Sequence, residues 1–139
     1  MDKKVKKTTE KKNKYYYSKG TNKTSVSTAR VYLGKGESTI NGKPFKDFID
    51  LYSKSIIEKP FILTGTKESA YFTVKSSGGG IYSQVKASVL ALSRAISKID
   101  ESYKSTLSKN GLLKRDPRMV ERKKYYRVKA RKSPQFSKR

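Results

Sequence analysis

One stretch of the chain carries sustained helical periodicity, and it limits the possible folds more than any other feature. In "IYSQVKASVLALSRAISKI", residues 81–99, the apolar side chains Ile81, Val85, Val89, Leu92, Ile96 and Ile99 recur at steps of four, four, three, four and three. That spacing lines one face of an α-helix and requires a surface to bury it. Lys86, Ser93, Arg94 and Ser97 fall largely off the stripe. A shorter helix is expected over 101–109, with Asp100-Glu101 at its start and Asn110-Gly111 as its stop.

The covering surface is legible as strands. In "TSVSTARVYL", Val26, Thr28, Arg30 and Tyr32 share one face, and Ala29, Val31 and Leu33 the other. "SAYFTVKSS" alternates again, with Ala70, Phe72 and Val74 against Tyr71, Thr73 and Lys75. Between them, Glu37 to Ile40 reads as a short strand followed by an Asn41-Gly42 turn. "PFKDFIDL" reads as a short helix with Pro44 in its first turn and Phe45, Phe48, Ile49 and Leu51 inward. Strands first, helices mostly later and short connections argue for an α+β layer, a small sheet with helices on one face. No internal repeat is present.

Charge divides the chain differently. Of the 139 residues, 34 are Lys or Arg and 11 Asp or Glu, a formal net charge of +23. Residues 1–23 carry +7, residues 24–113 carry +6 and residues 114–139 carry +10. Apolar residues make up only 34%, so a modest core is expected with a good part of the chain outside it. Such a charge makes the free protein repel itself until a polyanion neutralises it, and nucleic acid is the natural one. The first residues, "MDKKVKKTTEKKNK", lack an apolar segment and an arginine-bearing amphipathic stripe. They are read as a basic arm and not as a targeting peptide, and the protein is expected to act where it is made.

The last 26 residues differ in kind. The chain has 26 Lys and eight Arg, and six of those Arg lie here: Arg115, Arg118, Arg122, Arg127, Arg131 and Arg139. Guanidinium groups grip phosphate in two places and stack on bases, which a lysine ammonium cannot do. Tyr125, Tyr126 and Phe136 interleave with them, as rings used for base or ribose stacking would. Asp116 and Glu121 sit where they can orient the cations around them. If extended, residues 129–139 would reach on the order of 35 Å, with Pro134 stiffening the run.

Catalytic chemistry finds little support. Without Cys or His, disulfides, thiolate nucleophiles, zinc sites and imidazole acid–base catalysis are excluded. Gly78, Gly79 and Gly80 open a helix and allow close approach of a phosphate backbone, but neither a P-loop nor a dinucleotide fingerprint surrounds them. Asp47 and Asp50, three apart on the short helix beside Lys46, read as capping or dipole residues and not as an acid–base pair. No enzyme, cofactor or metal is expected, and no apolar run is long enough for a membrane span.

Three segments in order carry a resemblance: "SSGGGIYSQ" leading to "SRAI", then "NGLLKRDPRMVERKK", then "KARKSPQFSKR". Together with "TSVSTARVYLGKGESTINGKPFKDF" they resemble the small-subunit ribosomal protein S9 family in its bacterial and organellar form, over roughly residues 20–139. The resemblance implies a four-stranded mixed sheet with helices on one face and a long extended basic C-terminal tail. The divisions are a basic N-terminal arm at 1–19, a globular domain at 20–113 and an RNA-threading tail at 114–139. It implies binding to the rRNA of the subunit head beside neighbouring head proteins, with the tail reaching the peptidyl-site tRNA near the anticodon. Lys138 and Arg139, with Ser137 behind, become the tRNA-proximal residues. Lys23, Arg30, Arg115, Arg118, Arg122, Lys123, Lys124, Arg127, Lys129, Arg131, Lys132 and Gln135 become the rRNA-facing ones, and Gly78, Gly79 and Gly80 the point of backbone approach.

The chain departs from the family pattern in three places. Lys23 stands alone where an Arg-Arg-Lys cluster is usual, Tyr126 replaces a customary tail glycine, and Tyr82-Ser83 follow the triple glycine where smaller residues are common. The excess of Lys over Arg fits an AT-rich genome, either a plastid, with the ribosome in its stroma, or a low-GC bacterium. A free-standing basic RNA- or DNA-binding factor is the alternative that charge alone leaves open.

Overall fold

A computed structural model of the chain describes residues 14–47 and 50–138. Nine short elements follow one another in these residues. The strands are β1 (Tyr15–Asn22), β2 (Ser25–Leu33), β3 (Thr39–Ile40), β4 (Lys43–Pro44) and β5 (Ala70–Ser77). The helices are a 3₁₀ turn (Phe45–Asp47), α1 (Leu51–Thr64), α2 (Ile81–Ile96) and α3 (Glu101–Lys109). The sheet order is β1-β2-β5-β3-β4, antiparallel except where β3 runs parallel to β5. The expected α+β class and mixed sheet are present, but with five strands, not four. Two are two-residue ribbons: the short strand expected from Glu37 is only Thr39–Ile40, and the Asn41-Gly42 turn returns it as β4.

Alternation decides which face is covered. Ser18, Gly20 and Asn22 of β1, Ser25, Ser27, Ala29 and Val31 of β2, and Phe72 and Val74 of β5 are all buried. These residues share the face on which the helices lie. α2 lies directly against the sheet, so its buried surface is wider than one stripe: Ala87, Ser88, Leu90, Ala91 and Ala95 are buried with Val85, Val89, Leu92 and Ile96. Ser93, read as off the stripe, is fully buried and returns its hydroxyl to the Val89 carbonyl at 2.8 Å. Ile81, the first residue of the expected stripe, stands mostly in solvent. α1 packs on α2 and sends Phe61 onto Phe72, ring centroids 5.3 Å apart, while α3 buries Leu107.

Two local signals were misleading or absent. The helix expected over residues 44–51 is a strand end and a 3₁₀ turn; Phe45 is half-buried against the core, and Leu51 is exposed at the start of α1. Phe48 and Ile49 lie outside the described residues. α1 itself is long despite Pro60 in its interior, because Ser53, Ile57, Pro60 and Phe61 form a buried face that outweighs the lost backbone donor. Asp50, placed by its sequence on the shorter expected helix, instead caps α1 through the Tyr52 amide, whereas Asp100 caps α3 through the Ser102 amide as its position suggests.

β1 takes Tyr15 to Lys19 out of the stretch assigned to the N-terminal arm; the arm's residues 1–13 lie outside the described residues. The strand has no apolar alternation, since its inward positions are Ser18, Gly20 and Asn22. Gly20 is there because α2 comes so close: a Cβ at that position would collide with the Ala87 carbonyl oxygen and lie 2.6 Å from the Ala91 amide nitrogen. As an edge strand among the described residues, β1 also has carbonyls to which no described strand donates. Arg94 near the end of α2 and Lys98 just beyond it donate to two of them, Lys19 at 3.1 Å and Tyr17 at 2.7 Å.

Three inward serines join the layers. Ser27 donates to Ser76 at 3.0 Å, the Ser76 and Ser88 hydroxyls bond at 3.0 Å, and Ser88 donates to the Gln84 carbonyl at 2.7 Å. No buried side-chain polar atom among the described residues lacks a partner, so the network imposes little desolvation cost.

Gly20→Ala tests the seam. Backbone, not a flexible side chain, blocks the added methyl, so the variant is expected to lose about 1–3 kcal/mol. That corresponds to a melting temperature lower by roughly 5–15 °C in thermal denaturation followed by circular dichroism.

Candidate nucleic-acid interface

The Gly78-Gly79-Gly80 turn lies where β5 hands over to α2. Gly78 and Gly79 have φ of +74° and +59°, a region that L side chains rarely adopt. A Cβ on Gly79 would collide with Ser25 Oγ, and one on Gly78 would stand 2.8 Å from the Thr24 carbonyl. The glycines therefore fit the turn tightly against the β1–β2 hairpin, where Ser25 donates to the Gly78 carbonyl at 2.9 Å. Gly80 is the N-cap of α2 and provides no side-chain cap, leaving the first amides of a 16-residue helix without one.

Cations gather beside this turn. Lys23 sits in the hairpin with φ +51°, and Lys86 lies 5.0 Å from the Tyr82 ring centroid. With Arg118, Asn22, Ser83 and Asp116 they line a concave surface of about 370 Å³. The structure thus brings together Lys23, the glycine turn and Arg118, three features the sequence placed far apart. Lys86 and Tyr82 join them without having been singled out as contacts. Arg30 is elsewhere, on the sheet face away from the helices, its guanidinium 5.2 Å from the Tyr15 ring.

Residues 112–138 form neither helix nor strand. At the root, Arg115 is half-buried and donates from Nε to Thr21 Oγ1 at 2.8 Å, fastening the segment to β1. Beyond it the chain is not straight. Arg131 Nε and Lys124 Nζ each lie 2.9 Å from the Glu121 carboxylate, Arg127 donates to Ser133 Oγ at 2.7 Å, and the Val128 amide closes on the Lys132 carbonyl. This loop corrects the expectation of an extended run from residue 129. Only 133–138 remain beyond it, a reach of roughly 20 Å at most. Tyr126 adopts φ +54°, the left-handed region that favours glycine over a bulky side chain.

The tail cations fall into two groups. Arg118 is held by Asp116 through a forked pair, 2.7 Å at the shortest, and Lys124 and Arg131 share Glu121. Arg122, Lys123, Lys129, Lys132 and Lys138 have no side-chain ionic or hydrogen-bond partner among the described residues. Gln135 donates to the Ser137 carbonyl at 2.9 Å. Tyr125, Tyr126 and Phe136 are exposed, Phe136 completely, and none packs onto the core. Arg139 lies outside the described residues.

Electrostatics match this division. The Asp116 carboxyl is held well below the usual carboxylate range by the Arg118 side chain and then its backbone amide. Glu121 is lowered by its hydrogen bonds to Lys124 and Arg131. Among the described residues no group of three or more His, Cys, Asp or Glu could hold a metal, and no helix is long and apolar enough to cross a membrane.

A small α+β body with a cationic rim and a basic tail, several of whose cations are unpaired among the described residues, is a scaffold for contact with a polyanion. Residues 20–139 match the sequence model of the family described as ribosomal protein S9/S16, and the chain belongs to that family. It is a ribosomal protein of the small subunit, of a structural, non-enzymatic class, located on the ribosome beside small-subunit rRNA and neighbouring ribosomal proteins.

The Glu121 loop yields a pH test. Its carboxyl is depressed in the folded chain, so loop closure is fully present above the ordinary Glu pKa and fades as pH falls through the depressed value. Glu121→Gln is expected to abolish that dependence and to speed solvent exchange of the Arg131 guanidinium protons, measured by NMR.

Proposed function

We propose that the body binds rRNA of the small-subunit head and that residues 133–139 contact the peptidyl-site tRNA near its anticodon. The observation that carries this reading is the row of tail cations without a side-chain partner among the described residues, in an exposed segment whose root is fastened at Thr21. Phosphates complete such groups and release counterions as they do so. Arg122, Lys123, Lys129 and Lys132 meet rRNA, as do Lys23 and the amides at Gly78–Gly80, while Lys138 and Arg139 face the tRNA with Ser137 behind them. Arg118, Lys124 and Arg131 arrive already oriented by carboxylates. Arg115 holds the tail's origin, and Arg127 braces the loop. Stability of the association against moderate salt in sedimentation separates this reading from a free-standing nucleic-acid-binding factor. The Lys-rich composition fits a plastid ribosome and that of a low-GC bacterium alike.

Removal of Lys138 and Arg139 is expected to leave subunit assembly intact and to weaken peptidyl-site tRNA by at least tenfold in filter binding, about one charge-assisted hydrogen bond. Unchanged affinity and unchanged initiation fidelity would count against a role for the tip. Arg122→Ala is expected to lower the slope of log affinity against log salt by about 1 for an rRNA head fragment.

A further inference from the structure

The sheet has a second face. Tyr15, Tyr17, Lys19 and Thr21 of β1 alternate away from the helices, as do Val26, Thr28, Arg30 and Tyr32 of β2 and Tyr71, Thr73 and Lys75 of β5. Register sorts them into rows across the strands: Tyr15–Tyr32–Tyr71, then Tyr17–Arg30–Thr73, then Lys19–Thr28–Lys75. All three α-helices lie on the other side, and among the described residues no element covers these rows.

The rings form an ordered wall. Tyr32 and Tyr71 stack with centroids 4.9 Å apart and planes 9° from parallel, and Tyr15 tilts against Tyr32 at 5.6 Å. The Gly36 backbone closes the far end, since a Cβ there would stand 2.7 Å from the Tyr71 ring. Tyr17, in the next row, is about half exposed and has no aromatic neighbour among the described residues. Lys14 and Lys35 flank the aromatic end in a concavity they share with Tyr71. β1, β2 and β5 contain no Asp or Glu.

We propose that this bare face is a second RNA-binding platform, which takes an unpaired stretch of rRNA with a base stacked on Tyr17 and phosphates on Lys19, Arg30 and Lys75. The inference rests on RNA being the partner but is independent of the tail. Unpaired RNA fits better than duplex because a ring can stack only on a base already freed from its helix. It fits better than a protein because, although Tyr and Arg are common at protein interfaces, lysine is depleted there, and here lysines border the rings on three strands that hold no acid. Each base stacked on an aromatic ring contributes substantially and without sequence preference.

Zero-length ultraviolet crosslinking of assembled small subunits, with the crosslinked peptides identified by mass spectrometry, provides the test. Nucleotides attached to the peptides bearing Tyr15, Tyr17 or Tyr71 are the expected result. Chemical crosslinks joining these peptides to a neighbouring protein, or free iodination of Tyr17 in the assembled particle, would overturn it. Missing crosslinks on residues 114–139 would count against the tail reading only. In the purified full-length chain, Tyr17→Ala is expected to weaken binding of a ten-nucleotide oligouridylate about five- to tenfold, whereas Tyr17→Phe retains it. Equal affinity of the Ala variant and the parent would refute the stacking role.

Discussion

The contact between α2 and β1 at Gly20 sets the geometry of everything else. Because Gly20 has no side chain and Ala87 and Ala91 face it, helix and strand meet at backbone distance. That closeness brings Arg94 and Lys98 within reach of the β1 carbonyls and draws Ser88 into contact with Ser27. It also places the start of α2 beside the β1–β2 hairpin, where the glycine turn and Lys23 meet. A thicker seam would separate the basic rim into unrelated charges.

Electrostatics supply the second constraint. Seven acids in residues 24–113 and only two beyond them leave the body moderately basic and the tail strongly so. The two tail acids are each used on specific cations, Asp116 on Arg118 and Glu121 on Lys124 and Arg131. These pairs are exposed and contribute little to stability. Their effect is on shape: they bend the tail and fix where guanidinium groups point, while leaving other cations for an external anion.

Elements with an apolar period or clear end signals were legible in the sequence, and elements without either were not. α2, β2 and β5 follow from alternation or from the 3.6-residue stripe, and α3 from the Asp100-Glu101 start and the Asn110-Gly111 stop that bound it. β1 was hidden because its inward residues are Ser18, Gly20 and Asn22, chosen for closeness and hydrogen bonding and not for oiliness. α1 was hidden behind Glu58-Lys59-Pro60, which reads locally as a break, although tertiary burial of Ile57 and Phe61 holds the helix through it. At the interface, the cations and glycines were visible as residue types, but their sorting depends on distances. That Arg115 serves as a fastening, that Tyr82 and Lys86 join the glycine turn, and that four tyrosines from three strands share one face can be read only from pairing register.

The Arg94 and Lys98 contacts to β1 bear on the chain's life before assembly. An edge strand with unclaimed carbonyls invites a second molecule to add its own strand, the first step towards aggregation. Here Arg94 of α2 and Lys98 just past its end occupy two of those acceptors, and like charges on every copy oppose their approach. Two of the acceptors through which another copy could add a strand to this border are thus already taken within the chain itself.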